Sequence, residues 1–546
     1  MYWATEPSAY VGAMTNTSYD VVIVGGGHNG LTAAAYLARA GKDVLLLERD
    51  DHLGGAAISA TAFDGVDARL SRYSYLVSLM PKQIIEDLGL DIELARRRYS
   101  SYTPVPGNTA AGLLIDGGDA AATRGSFERV AGNDADFDAM QEFNAATGRL
   151  ARALFPTFCG PLPSRSEARK LLDDDALWDE LIEQPLGQSI TKRFENDVVR
   201  GVVATDALIG TFTSLDDASL DANRCFLYHV VGNETGDWDI PIGGMGAVSR
   251  ELERAAREAG ATLLTGAEVT SVSPDGGVRY RLDGTEHTTE GRHVLANVAP
   301  AVLHGLLDGG QSPAADAASS EIARPEGAQV KVNLLLSRLP RLNDETVAPE
   351  AAFGGTFHIN EGYGRLEEAY QEALGGAVPS PLPCEIYCHS LTDPSILSPE
   401  LVEAGAQTLT VFGLHVPHRL ITEENNDSRR AELQAAVLAS LNSVLAEAIE
   451  DLILKDANGK PCIETKTTLD LEHAINMTGG NIFHGSLSWP FLEDDAPRNT
   501  AAERWGVSTG NPRILVCGAG ARRGGGVSGI GGHNAAMAVL EDLADH

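Results

Sequence analysis

The chain has 546 residues, of which 43% are apolar and 22% are charged, a composition typical of a globular protein with two or three domains. Its 42 Lys and Arg residues against 76 Asp and Glu residues give a formal net charge of −34. Because so negative a chain repels phosphate backbones and anionic lipid headgroups, we expect no nucleic-acid partner and no membrane binding through basic residues.

Cysteine usage and hydropathy indicate the compartment. The sequence has no apolar run of about 18 residues, so no transmembrane segment is predicted. Residues 1–20 lack the basic and apolar stretches of a secretory signal. The 6 cysteines form no CxxC pair, which predicts neither a metal site nor a dithiol pair and is typical of a reducing compartment. We therefore predict a cytoplasmic protein without a bound metal.

The N-terminal region predicts a strand, a glycine-rich turn, a helix and a second strand. Residues 21–24 and 44–47 are short apolar runs, typical of strands buried on both faces. The sequence GGGHNG at 25–30 follows the first run, residues 31–40 are good helix formers, and Glu48 ends the second run. This order is the full context of a Rossmann-type dinucleotide site rather than an isolated glycine pattern.

Each residue type in this pattern has a physical role. Gly25 permits the tight turn, Gly27 lets the backbone approach a pyrophosphate, and Gly30 lets the helix pack closely on the strand. The free N–H groups at the helix start would hold the phosphates. The carboxylate of Glu48 would accept hydrogen bonds from the hydroxyl groups of the adenosine ribose.

The region after residue 240 adds one helix and several strands. Residues 247–259 predict an amphipathic helix, strands are predicted at 261–264 and 268–272, and a strand and turn are predicted at 294–300.

Two further elements are predicted from periodicity. Residues 329–334 alternate polar and apolar side chains, which predicts a half-buried strand. Its polar face, formed by Gln329, Lys331 and Asn333, should line a cavity or face solvent. Residues 433–454 predict one long amphipathic helix.

The C-terminal segment repeats the turn chemistry of the N-terminus. Residues 513–516 predict a strand, and glycine-dense turns follow at 518–520 and 524–532 before a helix that begins at His533. Glycine turns at a helix start provide N–H groups for an anion. We expect this segment to fold back onto the N-terminal turn and to hold the same nucleotide.

Six segments together resemble one group of flavoproteins. They are GGGHNG at 25–30, GGAA at 54–57, SRYSYL at 71–76, PIGGMG at 241–246, GGNIFHG at 479–485 and the stretch from CGAG to GGHNAA at 517–536. The chain resembles phytoene-desaturase-like FAD oxidoreductases within the amine-oxidase-type group, and most of all the subfamily of pyridine nucleotide-disulfide oxidoreductase domain-containing protein 2. The segments cover both ends and the middle of the chain, so the resemblance is global.

The resemblance implies FAD as the cofactor. In these flavoproteins the glycine doublet, here Gly54 and Gly55, lets the chain pass beside the pyrophosphate, and NAD-only dehydrogenases lack it. Ala56 stands where many relatives have arginine, which leaves the pyrophosphate to backbone N–H groups and the helix dipole. The Val269 backbone would contact the adenine, residues 294–300 would face the cofactor, and the Val527 N–H would face the flavin pyrimidine. The candidate cofactor residues are Gly25, Gly27, His28, Asn29, Gly30, Glu48, Arg49, Gly54, Gly55, Ala56, Ala57, Val269, Gly518, Ala519 and Val527.

The resemblance also singles out candidate catalytic residues. Lys331 matches the lysine that holds a water against flavin N5 in amine-oxidase-type enzymes; the alternative is a surface lysine on a strand. Tyr73 is a substrate-wall residue or a packing aromatic. His484 is a general base or substrate contact, or a structural hydrogen-bonding group. His28 is interpreted as shaping the phosphate turn rather than acting in catalysis.

We predict an α/β fold with interleaved domains. A Rossmann-type FAD-binding domain with a parallel sheet is assembled from the discontinuous segments 18–84, 236–310 and 471–546. An α+β substrate domain comprises 85–235 and 311–470 by elimination.

The expected activity is FAD-dependent oxidation of an apolar or amphipathic small molecule, by a dehydrogenase, desaturase or oxidase. Hydride would pass to flavin N5, with O2 or another compound as the electron acceptor. Two alternatives stay open. One is a redox-neutral isomerase or saturase of a polyene-like substrate, which the resemblance to carotenoid isomerases and saturases permits. The other is a catalytically degenerate FAD-binding scaffold. The substrate, and whether the protein is a homo-oligomer, are left open.

Overall fold

The computed structural model describes residues 17–307 and 325–544. The predicted domain boundary at 310–311 and most of the N-terminal stretch considered as a signal lie outside these residues. The strands of the described ranges are β1 (Ser18–Val24), β2 (Val44–Leu47), β3 (Ser59–Thr61), β4 (Arg69–Ser71), β5 (Leu94–Ala95), β6 (Tyr99–Val105), β7 (Asn108–Asp116), β8 (Ile240–Pro241), β9 (Thr262–Leu264), β10 (Glu268–Val272), β11 (Gly277–Leu282), β12 (Thr285–Ala296), β13 (Gln329–Leu336), β14 (Thr356–Ile359), β15 (Cys384–Tyr387), β16 (Gln407–Leu414), β17 (Ile463–Lys466) and β18 (Ile514–Val516).

The α-helices of the same ranges connect and cover these strands. They are α1 (His28–Arg39), α2 (Lys82–Leu88), α3 (Ala120–Ala131), α4 (Ala135–Leu154), α5 (Arg165–Leu172), α6 (Asp175–Trp178), α7 (Leu186–Arg193), α8 (Asp197–Thr205), α9 (Asp221–Val230), α10 (Met245–Glu258), α11 (Pro300–Leu307), α12 (Pro349–Ala352), α13 (Tyr363–Leu374), α14 (Pro399–Glu403), α15 (Asn426–Val444), α16 (Thr468–Ile475), α17 (Ala501–Trp505) and α18 (Ile530–Ala544). No helix within these ranges is both long and apolar enough to cross a membrane.

The first of two large sheets has a parallel core. β1 lies between β2 and β12 and runs parallel to both, and β9 and β18 extend this core on its two sides. β10 and β11 add an antiparallel extension beside β12. The ends of β1, β2 and β12 lie side by side, since Val24 pairs with both Leu47 and Ala296. This is the Rossmann-type arrangement that the sequence predicted.

Strand β1 is buried on both faces, as its unbroken apolar run predicted. Val21 and Ile23 belong to the core cluster shared with α1, α10 and α18, whereas Val22 and Val24 pack in a separate cluster with residues of β10–β12. Burying one such side chain stabilises the fold by about 1.5–3 kcal/mol. The strand therefore anchors the glycine turn that follows it.

The second large sheet has the strand order β17-β13-β16-β15-β14-β6-β7. Neighbouring strands are antiparallel except β14 and β6. One face is apolar and packs under α15, so that Val330, Val332 and Val411 share a core cluster with Leu433 and Val437. The opposite face carries the polar side chains of β13.

The strand predicted at 329–334 is present as β13, but the prediction that it is half-buried is wrong, because β13 is buried along its whole length. Gln329, Lys331 and Asn333 are 3%, 2% and 0% exposed. The chain around Ser71 and Tyr75 lies over this polar face. The alternative of Lys331 as a surface lysine is therefore excluded.

Two helix boundaries also differ from the prediction. α15 ends at Val444 rather than at residue 454, because Leu445 is extended and bridges to Leu342. α18 begins at Ile530, earlier than the predicted start at His533.

The two sheets draw on different parts of the chain. Strands β1, β2, β9–β12 and β18 of the first sheet fall within 18–84, 236–310 and 471–546. The strands of the second sheet fall within the remaining two segments. The exact domain boundaries stay a prediction, since one core cluster runs from Phe127 and Phe143 to Leu31 and Ile530.

Candidate active site

A cavity of about 290 Å³ lies at the carboxyl ends of β1, β2 and β12. Open α/β sheets bind ligands at the carboxyl ends of their strands, at the point in the sheet where the strand order reverses. The predicted cofactor residues in its wall are Gly25, Gly27, His28, Asn29, Glu48, Arg49, Gly55, Ala56, Val269 and Ala519, with the catalytic candidate His484. The others, Gly30, Gly54, Ala57, Gly518 and Val527, are not part of this wall. The binding roles of all these residues stay predictions.

The turn after β1 requires glycine for steric reasons. Gly25 has φ of +100°, and a Cβ there would lie 2.7 Å from the Asn297 carbonyl oxygen. A Cβ on Gly30 would lie 2.3 Å from the Gly25 carbonyl oxygen. No side chain caps α1, whose N-cap residue is Gly27. Its first N–H groups are therefore left for a ligand.

Glu48 is held beside this turn by two backbone hydrogen bonds. Its Oε2 accepts from the Gly26 N–H at 2.6 Å, and its Oε1 accepts from the Asp50 N–H at 2.9 Å. The carboxylate thus fixes the glycine turn and lines the cavity. The sequence argument assigned it only a ribose contact.

The second glycine pair packs on the first turn. The Gly54 N–H donates to the Gly26 carbonyl at 2.9 Å. A Cβ on Gly55 would lie 3.0 Å from the Cα of Gly27. Both residues of the doublet have positive φ, so a larger side chain would be strained at either position. Gly55 therefore lines the cavity beside the first turn, and Gly54 holds the doublet against that turn.

The C-terminal glycine segment contacts the N-terminal one, although the two lie almost 500 residues apart. A Cβ on Gly532 would lie 2.0 Å from the Asn29 carbonyl oxygen, and one on Gly529 would lie 3.0 Å from the Thr32 Oγ1. Ala519 lines the cavity. Helices α1 and α18 thus meet at their N-terminal ends, as expected for segments that hold one nucleotide.

Asn297 lies in the stretch 294–300 that the resemblance placed beside the cofactor, but the sequence analysis did not select it as an individual site residue. It follows β12, lines the cavity, and donates from Nδ2 to the Gly25 carbonyl at 3.0 Å. A polar residue directly after a buried strand was the available signal. Wall residues outside that stretch that were missed are Asp50, Ala267, Glu268, Val302, Leu306, Ile475 and Asn476.

Two histidines lie at the cavity with strongly shifted acidity. Burial lowers the pKa of His484 to about 4. Burial also lowers the pKa of His28 to about 4; contact with the Gly526 backbone opposes this shift, and His484 adds to it. Both imidazoles are therefore neutral at pH 7. His484 also has φ of +60°, an uncommon conformation for a non-glycine residue.

The other two catalytic candidates lie elsewhere. Lys331 lines neither this cavity nor the neighbouring cleft, and its Nζ donates to the Ser71 carbonyl at 2.9 Å. Burial lowers the pKa of Lys331 to about 7. Tyr73 lines a cleft of about 730 Å³ that shares Asp50 and Ile475 with the first cavity. The structure thus brings His484 to the cavity, Tyr73 to the cleft and Lys331 to the buried sheet.

Comparison with known proteins gives the family. Residues 30–356 match the model of flavin containing amine oxidoreductases. The chain belongs to this family. The resemblance and the cofactor predicted from the sequence are confirmed, and the protein is an FAD-dependent oxidoreductase.

Several known proteins match this chain along nearly its whole length. An uncharacterized protein of Mycobacterium tuberculosis is 54% identical over 96% of this chain and 98% of its own length. Pyridine nucleotide-disulfide oxidoreductase domain-containing protein 2 of Rattus norvegicus is 29% identical over 96% and 94%. The structure of wild-type putrescine oxidase bound to putrescine is 17% identical, with a TM-score of 0.55 over 97% of this chain and 99% of that one, and shows the shared fold.

The wall of the cavity fits the polar parts of FAD. Asn29 is 1% exposed, and neither its Nδ2 nor its Oδ1 has a hydrogen-bond partner. The Nε2 of His28, 8% exposed, is also without a partner. Buried polar atoms normally have partners, so these three atoms indicate a polar ligand. His28 and Asn29 stand at the uncapped start of α1, which would hold the pyrophosphate of FAD.

Replacing Glu48 by alanine should weaken FAD binding by about 1.5–3 kcal/mol, because a charged acceptor is lost. The loss of its bonds to Gly26 and Asp50 would also loosen the turn. Titration of the apoprotein with FAD measures the change. Glu48→Gln keeps one acceptor oxygen and should lose less affinity. If Glu48→Ala binds FAD as tightly as the wild type, Glu48 does not contribute to the site.

Proposed function

We propose that this FAD-dependent oxidoreductase removes hydride from a C–H bond of an apolar or amphipathic small molecule. FAD, when bound, supplies the hydride acceptor at N5. The protein's own residues must then bind the molecule, orient the C–H bond and keep water out. The observation that supports the proposal is a cluster of aromatic side chains beside Lys331.

This aromatic group consists of Tyr75, Tyr387 and Phe412. The Tyr75 ring centroid lies 4.6 Å from those of Tyr387 and Phe412. Leu76, Ile240 and Trp238 complete the same apolar cluster. Side chains of this kind favour the apolar parts of a substrate and exclude water. We call this group the aromatic cluster.

Lys331 lies beside the aromatic cluster. Its Nζ lies 5.2 Å from the Phe412 ring centroid and 6.0 Å from that of Tyr75. With its pKa lowered to about 7 by burial, the amine exists in both protonation states near neutral pH. A group of this kind can orient a water or give and take a proton at Nζ. We propose that it does so when electrons leave the enzyme to O2 or another acceptor.

His484 and Tyr73 are assigned supporting roles in this proposal. The neutral imidazole of His484 can accept a hydrogen bond or a proton at the cavity wall. Tyr73 lines the cleft that adjoins the cavity, where a substrate can pass. Burial raises the pKa of Tyr73, so its hydroxyl stays protonated at neutral pH.

The purified protein should be yellow and should release FAD rather than FMN when denatured. Mixing the holoenzyme without oxygen with a panel of apolar amines, alcohols and polyenes should bleach the flavin absorbance with at least one compound. Bleaching by substrate alone supports oxidation. Conversion that occurs only after prior reduction of the flavin contradicts it and indicates an isomerase or saturase. A bound flavin that neither reaction affects indicates a scaffold.

A further inference from the structure

The cleft that Tyr73 lines borders both the FAD cavity and the surroundings of Lys331. It has a volume of about 730 Å³ and shares two wall residues with the cavity. Arg72 and Tyr73 line it and directly follow Ser71, whose carbonyl accepts from the Lys331 Nζ at 2.9 Å. A molecule bound in this cleft therefore lies next to both parts of the site.

Much of the wall of the cleft is apolar. Five apolar residues line it, and each of them is half-buried: Leu53, Ile58, Ala60, Ala474 and Ile475. Half-buried apolar side chains inside a cleft present carbon surface to its occupant, and binding removes that surface from water. The cleft therefore suits a ligand with an apolar chain.

The acidic side chains of the cleft are already compensated. The Asp50 carboxylate lies 3.2 Å from the Arg49 Nε, and the Glu253 carboxylate lies 2.8 Å from the Arg257 Nε. The third acid, Asp51, has a side chain that is 97% exposed, so water solvates it. None of the three requires a cation from a ligand.

The arginines of the cleft are less well matched. No hydrogen bond or ion pair joins Arg250 to another residue of 17–307 or 325–544, although the chain has 76 acidic against 42 basic residues. The Nη2 of Arg72 is paired with Glu464, but its Nε is buried without a partner. The cleft thus holds the uncompensated charge of one guanidinium and one further unused N–H donor.

Arg250 and Arg72 are positioned by the same pair of strands. A Cβ on Gly246 would lie 3.2 Å from the Arg250 Nη1, and the Gly246 N–H donates to the Ser59 Oγ at 2.9 Å. Ser59 of β3 lies opposite Ser71 of β4, and Arg72 is the next residue. The two wall residues shared with the FAD cavity lie outside these strands.

We propose that this cleft binds the carboxylate end of an amphipathic substrate such as a medium-chain fatty acid. Arg250 pairs with the carboxylate, the Arg72 Nε is a second donor, and the apolar chain lies along Leu53, Ile58 and Ile475. The inference rests on the proposed function and adds the chemical class of the substrate.

The charge of the cleft favours this ligand. A carboxylate is a monoanion with two acceptor oxygens, which matches one uncompensated guanidinium and its fork of N–H donors. A primary ammonium would meet the unpaired Arg250 and be repelled. With its carboxylate at the arginines, the chain leads to the part of the wall that the cleft shares with the FAD cavity.

The test compares four ligands by titration calorimetry of the holoenzyme at neutral pH. They are octanoate, 1-octanol, n-octylammonium and acetate. We expect octanoate to bind at least about tenfold more tightly than either of the other eight-carbon compounds, because they lack the charge-assisted hydrogen bonds. Acetate should also bind at least about tenfold more weakly, since it has no chain to cover the apolar wall.

Substitutions locate the effect. Arg250→Gln should lose most of the preference for octanoate while binding of 1-octanol is unchanged. Arg72→Gln removes the second donor and should weaken octanoate binding less, and it decides should the first variant fail to fold. Arg129→Gln removes an exposed arginine from α3 and should keep the preference.

Equal binding of the three eight-carbon ligands, tighter binding of octylammonium, or a preference that both cleft variants retain would overturn the proposal. Acetate that binds as tightly as octanoate would overturn the apolar part of the cleft as a chain site. All of these readouts are binding. Failure of the proposed function is distinct, since it shows as a flavin that no compound bleaches.

Discussion

Replacing Gly30 by alanine is expected to reduce FAD affinity by about 10–100-fold or to abolish binding, since overpacking costs about 1–3 kcal/mol or more. The new Cβ would lie 2.3 Å from the Gly25 carbonyl oxygen and 2.8 Å from the Asn297 Nδ2. Neither neighbour can yield easily, because Asn297 itself bonds to Gly25. Relief requires movement of the turn that lines the cavity. FAD content after purification and titration of the apoprotein measure the effect.

The control is the same substitution at Gly125, which lies inside α3. A Cβ there would have only the Arg129 Nη1 nearby, at 3.8 Å. Alanine should stabilise that helix by roughly 0.5–1 kcal/mol and leave FAD binding unchanged. A Gly30→Ala protein that binds FAD like the Gly125→Ala protein would show that close packing of α1 on the turn is not needed for the cofactor.

The part of the site that could be predicted from the sequence is formed by residues that lie close together along the chain. Gly25, Gly27 and Glu48 lie on one strand–turn–helix–strand unit, so their spacing alone determines that they meet. Asn297 could not be selected in this way. Its contact with Gly25 depends on the parallel pairing of β1 and β12, which are separated by more than 250 residues.

The alternating strand at 329–334 shows what a polarity pattern leaves out. The pattern correctly separated the apolar face of Val330 and Val332 from the polar face of Lys331. It could not show that the distant segment at Ser71 covers the polar face. Alternation records which side chains share a face, whereas exposure depends on what packs there.

The end of α15 was predicted wrongly for a similar reason. Apolar residues continue at helical spacing past Val444, and no glycine or proline stops the pattern. The chain nevertheless leaves the helix at Leu445, where it bridges to Leu342, and the Asn442 Oδ1 accepts from the Ile449 N–H at 2.8 Å. Tertiary pairing overrides the weak local preference there.

Replacing Lys331 by methionine should slow reoxidation by O2 by about 10–100-fold and affect reduction by substrate much less, because loss of a positioned proton donor costs at least this much. Methionine keeps the length of the side chain but removes the Nζ that bonds to Ser71. Stopped-flow measurement of the two half-reactions separates the effects. Equal slowing of both would contradict the proposed role. Lys460→Met, on an exposed turn, should change neither rate.

Lys331→Met should also change the free energy of unfolding, in a direction that depends on pH. Burial lowers the folded pKa of Lys331 to about 7, whereas the unfolded chain has a value of about 10.4. Below pH 7 the fold must hold a buried charge, so Lys331→Met should be the more stable protein there. Between pH 7 and 10 the unfolded chain binds the extra proton, and the wild type should gain up to about 1.4 kcal/mol per pH unit relative to the variant. Denaturant unfolding of both proteins across this range measures the difference, and parallel curves would show that Lys331 is not desolvated in the fold.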